Sequence, residues 1–258
     1  MSVAEITGLI AAAAAAGAIN AVAGGGTLIT FPTLLLFGTP PVTANATSTL
    51  ALMLGTGGSV FGYRRHLVAI KKWLWRFAAV SILGGLIGSA LLTHTEERIF
   101  ARLVPFLILF ATILFLSQGL VRRLALGQNG SDGAEKRRHV FAAIAFQFLV
   151  AIYGGYFGAG IGILMLASLG FVGLRDIHEM NTLKTVLSTL INLVAALWFM
   201  GAGLIDWPKA GLMTVGALGG YFLGAHYSQR IPQKAVRHII TVIGFTLAAI
   251  TFYREFLR

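Results

Sequence analysis

The chain contains the segment Asn20-Ala-Val-Ala-Gly-Gly-Gly-Thr-Leu-Ile-Thr-Phe-Pro32, which interrupts what would otherwise be an ordinary membrane helix. Each of its three consecutive glycines disfavours a helix by about 1 kcal/mol relative to alanine. A break of this kind leaves backbone polar groups without helical partners. In hydrocarbon such groups must be satisfied by protein, by trapped water or by a bound solute. We therefore predict that this segment forms part of a binding site inside a membrane.

The composition is that of an integral membrane protein. Of its 258 residues, 57% are hydrophobic and 11% are charged, and the mean hydropathy is +0.81. Soluble domains carry about 25% charged residues. Several apolar runs reach the length of about 20 residues that a spanning helix needs, so we predict an all-α membrane fold. The runs lie at 3–22, 25–37, 44–63, 73–93, 101–121, 139–173, 180–201, 207–227 and 236–255. No basic residue precedes the first run, which favours structure over a signal peptide.

The net charge of +11 is explained by cations in short loops, as the positive-inside rule describes. Nucleic-acid binding would need a soluble basic face interleaved with aromatic residues, and the sequence contains none, so no nucleic-acid partner is expected. The chain has no cysteine, which excludes disulfides, thiol catalysis and thiolate metal sites.

An internal repeat appears when the sequence is shifted by 136 residues. The shift aligns residues of the same type across loops and apolar runs without a gap. The aligned pairs are Gly24 with Gly160, Gly26 with Gly162, Leu28 with Leu164, Asn45 with Asn181, Thr49 with Thr185, Gly84 with Gly220 and Gly88 with Gly224. We predict two homologous membrane repeats, 1–124 and 138–258, joined by a cytoplasmic linker at 125–137.

The loop charges predict that the two repeats have inverted topology. The loop at 64–76 carries five cations and no acid, whereas its counterpart at 200–212 carries one acid and one cation. The loop at 93–102 is balanced, whereas its counterpart at 229–238 is basic. Inverted repeats are a common transporter architecture. They require an odd number of crossings in each half, which follows if the glycine-broken segment at 3–38 is a hairpin and three helices cross. Two full crossings in each broken segment are the alternative.

The glycine runs are the first candidate site residues. A half-helix that starts at a glycine run directs free N–H groups and its positive dipole end into the membrane, which favours anion binding. Close packing between helices is the alternative explanation of such glycines. The candidates are Asn20, Gly24, Gly25, Gly26 and Thr27 in the first half, and Gly158, Gly160 and Gly162 in the second.

Polar residues that open the next apolar runs are the second set of candidates. We expect Asn45, Ser48 and Thr49 to face Asn181, Lys184 and Thr185, with Asn192 as a weaker candidate. Helix capping would also explain small hydroxyl and amide side chains at these places. Lys184 is the most notable, because a lysine within a span is costly unless it is paired, snorkelling or facing a cavity.

Several classes of function lack support in the sequence. No acidic residue falls in the middle of an apolar run, so a buried carboxylate proton relay is not expected. No histidine makes a metal-binding pair with an acid at helical spacing, and no GxSxG, Walker or zinc motif is present. We therefore expect no enzyme activity, no cofactor and no metal site.

These motifs together resemble those of the TauE/SafE sulfite-exporter family, also called the toluene-sulfonate uptake permease family. The resemblance rests on Ala23-Gly-Gly-Gly-Thr-Leu, Ala44-Asn-Ala-Thr-Ser-Thr-Leu, the second-half Gly-Ala-Gly-Ile-Gly, Asn-Thr-Leu-Lys-Thr and the loop Arg230-Ile-Pro-Gln-Lys234. It covers nearly the whole chain. It implies a multi-pass secondary transporter of small anions, such as sulfite or sulfoacetate, in the bacterial inner membrane. Family members are assigned to both uptake and export.

We expect export by alternating access around a small sulfur-containing anion. The membrane potential, negative inside, favours anion exit by about 2.3 kcal/mol per charge per 100 mV, so export needs no coupling ion. Ion-coupled uptake and an anion channel are the alternatives within transport, and an intramembrane enzyme or a scaffold is the alternative outside it. The expected partners are a small anionic substrate and the lipid bilayer, and a homodimer is an assembly that the sequence leaves open.

Overall fold

The computed structural model describes residues 1–22, 25–62, 67–127, 133–170, 177–227 and 233–256, which form ten α-helices and no strand. The helices are α1 Val3–Val22, α2 Thr27–Leu36, α3 Pro41–Gly62, α4 Leu67–His94, α5 Glu97–Gly127, α6 Gly133–Tyr156, α7 Ile161–Gly170, α8 Ile177–Gly201, α9 Trp207–Tyr227 and α10 Gln233–Phe256. The predicted all-α class is confirmed. Helices α5 and α6 extend into the predicted linker at 125–137, of which residues 128–132 lie outside the described ranges.

The first glycine run joins α1 and α2 into an antiparallel hairpin. Gly26, which precedes α2, lies against Ala16 and Asn20 near the end of α1. At the other end of the hairpin, Gly8 lies against the ring of Phe37, which follows α2. The end of α1 thus contacts the start of α2, and the start of α1 contacts the end of α2. The chain therefore reverses direction at the glycines.

The second glycine run joins α6 and α7 in the same way. Beside the turn, the hydroxyl of Tyr153 donates a hydrogen bond of 2.8 Å to the carbonyl oxygen of Ala159. Further along the hairpin, Ser168 near the end of α7 donates to Gln147 in the middle of α6. Gln147 in turn donates to Ser81 on α4, and all three side chains are fully buried. A polar network therefore holds the second hairpin against α4.

The ten helices form two series of five with the same order. The short helices α2 and α7 come second in each series, and α1, α3, α4 and α5 have counterparts in α6, α8, α9 and α10. The packing follows this correspondence. Helix α1 packs on α9 as α6 packs on α4, while α3 packs on its own counterpart α8 and α5 on its own counterpart α10. The bounds of the two predicted repeats stay a prediction.

Small residues bring the backbones of these helix pairs together. On α9, Gly216, Gly220 and Gly224 lie against the backbone of Ile10, Ala14 and Ala18 on α1. The counterparts on α4, Gly84 and Gly88, lie against the backbone of α6. Lipid tails are as apolar as leucine, so helices in a membrane associate through close packing of this kind rather than through the hydrophobic effect.

Replacing Gly220 by alanine is expected to destabilise the fold. A Cβ at this position would overlap the carbonyl group of Ala14, and overpacking of this kind costs about 1–3 kcal/mol. Gly219 is the matched control, because it is the preceding residue of α9 and a Cβ there would meet nothing within 4 Å. Thermal unfolding in detergent should show a lower midpoint for Gly220→Ala alone. Equal midpoints for the two variants would contradict the packing of α1 on α9.

The outer surface of the helices is suited to lipid. Among the described residues, four helices are long and apolar enough to cross a membrane, at Val3–Ala21, Ile70–His94, Glu97–Ser117 and Glu179–Gly201. Large apolar side chains such as Phe141 and Phe222 are about three-quarters exposed, at 75% and 76%. Exposure on this scale fits a hydrocarbon environment, so the protein resides in a membrane.

Candidate functional site

Asn20 caps the first glycine turn. Its side-chain oxygen accepts a hydrogen bond of 2.7 Å from the backbone N–H of Gly26, directly before α2. Gly25 has a φ of +91°, a conformation that side-chain-bearing residues rarely adopt. Because the first N–H groups of a helix have no helical partner, Asn20 takes up one of the donors that we expected to face an anion.

Ser48 reaches the same turn through Thr30. The two hydroxyl oxygens lie 2.6 Å apart, and Thr30 also donates to the carbonyl oxygen of Gly26 at 3.2 Å. Both side chains are fully buried. Thr30 is not among the candidate residues that the sequence predicts. Its position four residues after Gly26, which places it on the same face of the helix, was the available signal.

Asn45 lies at the second glycine turn although it belongs to the first half. Its amide nitrogen donates a hydrogen bond of 3.0 Å to the carbonyl oxygen of Tyr156, the last residue of α6. The side chain is 1% exposed. Its side-chain oxygen has no hydrogen-bond partner. Among the buried side-chain polar atoms of the described residues, only the hydroxyl of Tyr221 also lacks one.

The second glycine turn is shaped by two residues with positive φ. Gly158 has a φ of +79° and Gly160 a φ of +78°. A Cβ at Gly158 would lie 3.0 Å from the carbonyl oxygen of Gly154 and 4.0 Å from the side-chain oxygen of Asn192 on α8. The turn thus presents its backbone to Asn192, which our sequence analysis ranked as a weaker candidate. Tyr153, which holds the turn through Ala159, was not selected.

Lys184 on α8 extends its side chain to the start of α7, directly after this turn. A Cβ at Gly162 would lie 3.4 Å from Cδ of Lys184 and within 4 Å of its Cγ and Cε. The aliphatic stem of the lysine therefore runs over the first turn of α7, and the side chain is half-buried. The absence of a side chain at Gly162 provides the room for this contact.

The remaining predicted residues lie near these positions on α2, α3 and α8. Thr27 is the first residue of α2 and is half-buried, and Thr49 donates its hydroxyl to the backbone oxygen of Asn45. Asn181 and Thr185 are half-buried one turn apart on α8. Gly24 lies outside the described residues. Helices α3 and α8 pack together, as expected. However, the side chain of Ser48 is hydrogen-bonded to α2 and that of Asn45 to α6. The binding role of all these residues stays a prediction.

Both glycine turns lie against a single stretch of α5. A Cβ at Gly25 would lie 2.8 Å from the ring of Phe115, and a Cβ at Gly160 would lie 3.7 Å from the backbone oxygen of Ala111. These two α5 residues are one helical turn apart and both are buried. The two turns, far apart in sequence, are therefore brought to neighbouring places in the fold.

A cluster of charged residues connects the start of α1 and the segment after α2 to the start of α9. The ammonium of Lys209 lies 3.3 Å from Glu5 and 3.7 Å from Asp206. It also donates to the hydroxyl of Thr39 at 2.9 Å. In the sequence, Asp206 and Lys209 are the one acid and the one cation of the loop at 200–212, whose charges cancel. The partnership with Glu5, about 200 residues away in sequence, has no local signal.

Comparison with known proteins relates nearly the whole chain to one family. Residues 9–251 match the family described as Sulfite exporter TauE/SafE. A probable membrane transporter protein of Haemophilus influenzae is 29% identical over 243 residues, covering 92% of this chain and 90% of the relative. Probable membrane transporter protein ORF9 of a Sinorhizobium species is 29% identical, and the match covers 93% of this chain and 89% of the relative. Probable membrane transporter protein YfcA of Escherichia coli K12 is 27% identical, and the match covers 92% of this chain and 86% of the relative. No solved structure matches. The chain belongs to the TauE/SafE sulfite exporter family and is a membrane transporter, not an enzyme.

Proposed function

We propose that this protein is a secondary transporter of small sulfur-containing anions, sulfite or sulfonates such as sulfoacetate, and that it exports them by alternating access across the bacterial inner membrane. Family membership and relatives from three bacterial genera support this setting. The substrate class is supported by the chemistry of the two glycine turns.

The observation that carries the proposal is the contact between the side chain of Lys184, on α8, and Gly162 in the first turn of α7. The start of a helix carries a positive partial charge, which disfavours a nearby cation and favours a nearby anion. A lysine stem that runs over this helix start therefore suits a site in which a negative charge is bound. Amide groups of Asn192 and Asn45 lie at the same turn. Arrays of this kind bind oxyanions without needing a metal.

We infer further that the two five-helix units are inserted in opposite directions. The contacts first define a parallel group. Thr47 and Gly55 on α3 contact, in the same order, Asp206 directly before α9 and Tyr221 near its end. Helix α1 is also parallel to α9, because Ile10, Ala14 and Ala18 contact Gly216, Gly220 and Gly224 in that order. Helices α1, α3 and α9 therefore share a direction.

A second parallel group runs the other way. Ser81 and Gly88 on α4 contact Gln147 and Ile152 on α6 in the same order, so these two helices are parallel. The backbone N–H of Val42, at the start of α3, donates to Glu97, just after the end of α4. Only four residues separate the end of α3 from the start of α4, so α3 and α4 run in opposite directions. Helices α1 and α6, the counterparts that begin the two units, are then opposed.

Alternating access follows from such a pair of opposed units when one rocks against the other around a fixed site. No acidic side chain is among the described residues that we place at either glycine turn. The membrane potential alone would drive a monovalent anion outward, by about 2.3 kcal/mol per 100 mV. Export therefore requires no proton-carrying carboxylate.

Ligand binding to the purified protein tests the proposed substrate class. Isothermal titration in detergent should detect sulfite and sulfoacetate, with carboxylate analogues of matched size binding less tightly. Taurine, sulfate and acetate are titrated under the same conditions, and their affinities are compared with those of sulfite and sulfoacetate. Binding of no sulfur oxyanion, or equal binding of carboxylates, would contradict the proposed substrate class.

A further inference from the structure

Tyr221 on α9 carries a buried hydroxyl without a hydrogen-bond partner among the residues that the structure describes. The residue is 7% exposed. Buried polar groups nearly always have a partner, because an unmet hydrogen bond costs free energy. A tyrosine hydroxyl in this state is available to a bound solute.

The hydroxyl is located at the first glycine turn. The ring of Tyr221 occupies the space next to Gly55 on α3, where any Cβ would overlap it. Its oxygen lies beside the side chains of Asn20 and Thr56, but neither neighbour is placed with the distance and angle of a hydrogen bond. Asn20 is the residue that caps Gly26. The tyrosine therefore extends from α9 between α1 and α3 to the cap of the turn.

The opposite half shows that this hydroxyl is not required for packing. The 136-residue offset relates Tyr221 to Gly85 and Gly55 to Ile191. Gly85 and Ile191 also face each other, since a Cβ placed at Gly85 would lie 3.6 Å from Ile191. The large and small partners have exchanged helices, and the second half fills the position with an alkyl chain. An apolar side chain thus suffices for the contact, so the hydroxyl has another use.

We propose that Tyr221 is a specificity-determining residue that donates its phenolic hydrogen to an oxygen of the transported anion at the first glycine turn. A phenol can donate one hydrogen bond. The amide nitrogen of Asn20 provides a second donor beside it, because the oxygen of that amide is engaged by Gly26. The hydroxyl of Thr56 already donates to the backbone of α3. The two remaining donors fit two oxygens of a sulfite or sulfonate group, and the inference rests on the proposed function.

Replacing Tyr221 by phenylalanine tests this inference, since it removes one oxygen and keeps the ring. Titration of purified protein with sulfite and with sulfoacetate should show Kd raised by about ten-fold or more, the effect of losing a hydrogen bond to a charged group. The melting temperature of the ligand-free variant should be equal to or higher than that of the wild type, because an unsatisfied buried hydroxyl is removed. Tyr253→Phe is the matched control, since Tyr253 is 59% exposed on α10.

The possible outcomes separate this inference from the proposed function. If the wild type and Tyr253→Phe bind the anions and Tyr221→Phe binds them equally well, the hydroxyl holds only water and the inference is overturned while the proposed function stands. A lower melting temperature with unchanged affinity would likewise overturn it in favour of a structural role. If none of the three proteins binds a sulfur oxyanion, the proposed function fails and the inference fails with it.

Discussion

Replacing Lys184 by methionine is expected to weaken anion binding by about 10- to 150-fold. This range corresponds to the loss of a hydrogen bond to a charged group, worth about 1.5–3 kcal/mol. Methionine keeps an aliphatic stem for the contact with Gly162 and removes the charge. Titration with sulfite should show the higher Kd, and transport measured below saturation should fall by a similar factor.

Two further variants make this prediction specific. Lys184→Arg keeps the positive charge and should retain part of the affinity, although the planar guanidinium does not reproduce the geometry of an ammonium. Lys72→Met removes a lysine from an exposed position at the start of α4 and should bind as the wild type does. If Lys184→Met also bound sulfite with unchanged affinity, Lys184 would be a snorkelling lysine and the second glycine turn would need another explanation.

Replacing Gly158 by alanine is expected to abolish most transport while leaving a folded protein. The positive φ of this residue costs about 1–2 kcal/mol for a residue with a Cβ. The new methyl group would also lie 3.0 Å from the carbonyl oxygen of Gly154 and point towards Asn192. Relief of both contacts would move the turn. Displacements of about 1 Å in catalytic sites cost about a hundred-fold, and we expect a loss of flux of at least about ten-fold by the same reasoning.

Gly203 separates backbone strain from damage to the site. Its φ of +70° is similar, and a Cβ there would meet nothing within 4 Å. It lies between α8 and α9, in the loop near the charged cluster of Glu5, Asp206 and Lys209. Gly203→Ala should therefore lower the melting temperature through backbone strain alone, and by less than Gly158→Ala does, while its initial rate of sulfite flux in proteoliposomes stays near that of the wild type. Equal flux from both variants would show that the second turn is not part of the transport site.

Periodicity, length and glycine content were sufficient to predict the helical class and the two interrupted segments. The reason is local, because a run of glycines disfavours a helix in any tertiary context. The constant 136-residue offset similarly anticipates the recurrence of α2 as α7 and of Gly84 and Gly88 as Gly220 and Gly224. These features depend on residues close together in sequence or on a comparison of the sequence with itself.

The site was less predictable, because its contacts join residues from distant parts of the chain. Asn20 was selected as a substrate ligand, and the structure engages its oxygen in a bond to Gly26 six residues later. Asn45 was expected opposite α8, yet it bonds to Tyr156 at the end of α6. Tyr221 carries no sequence signal that distinguishes it from ordinary helix residues, and Thr30 is marked only by its position four residues after Gly26. Their importance appears only when burial and hydrogen bonding are known.

Counterflow in proteoliposomes tests the central claim most directly. Vesicles containing the purified protein are loaded with unlabelled sulfite and diluted into a trace of radiolabelled sulfite. A carrier that alternates around one anion site should accumulate label transiently, with an overshoot that unlabelled internal sulfite stimulates and that Lys184→Met reduces. Uptake without an overshoot, accompanied by a large anion conductance, would instead identify a channel and contradict the account.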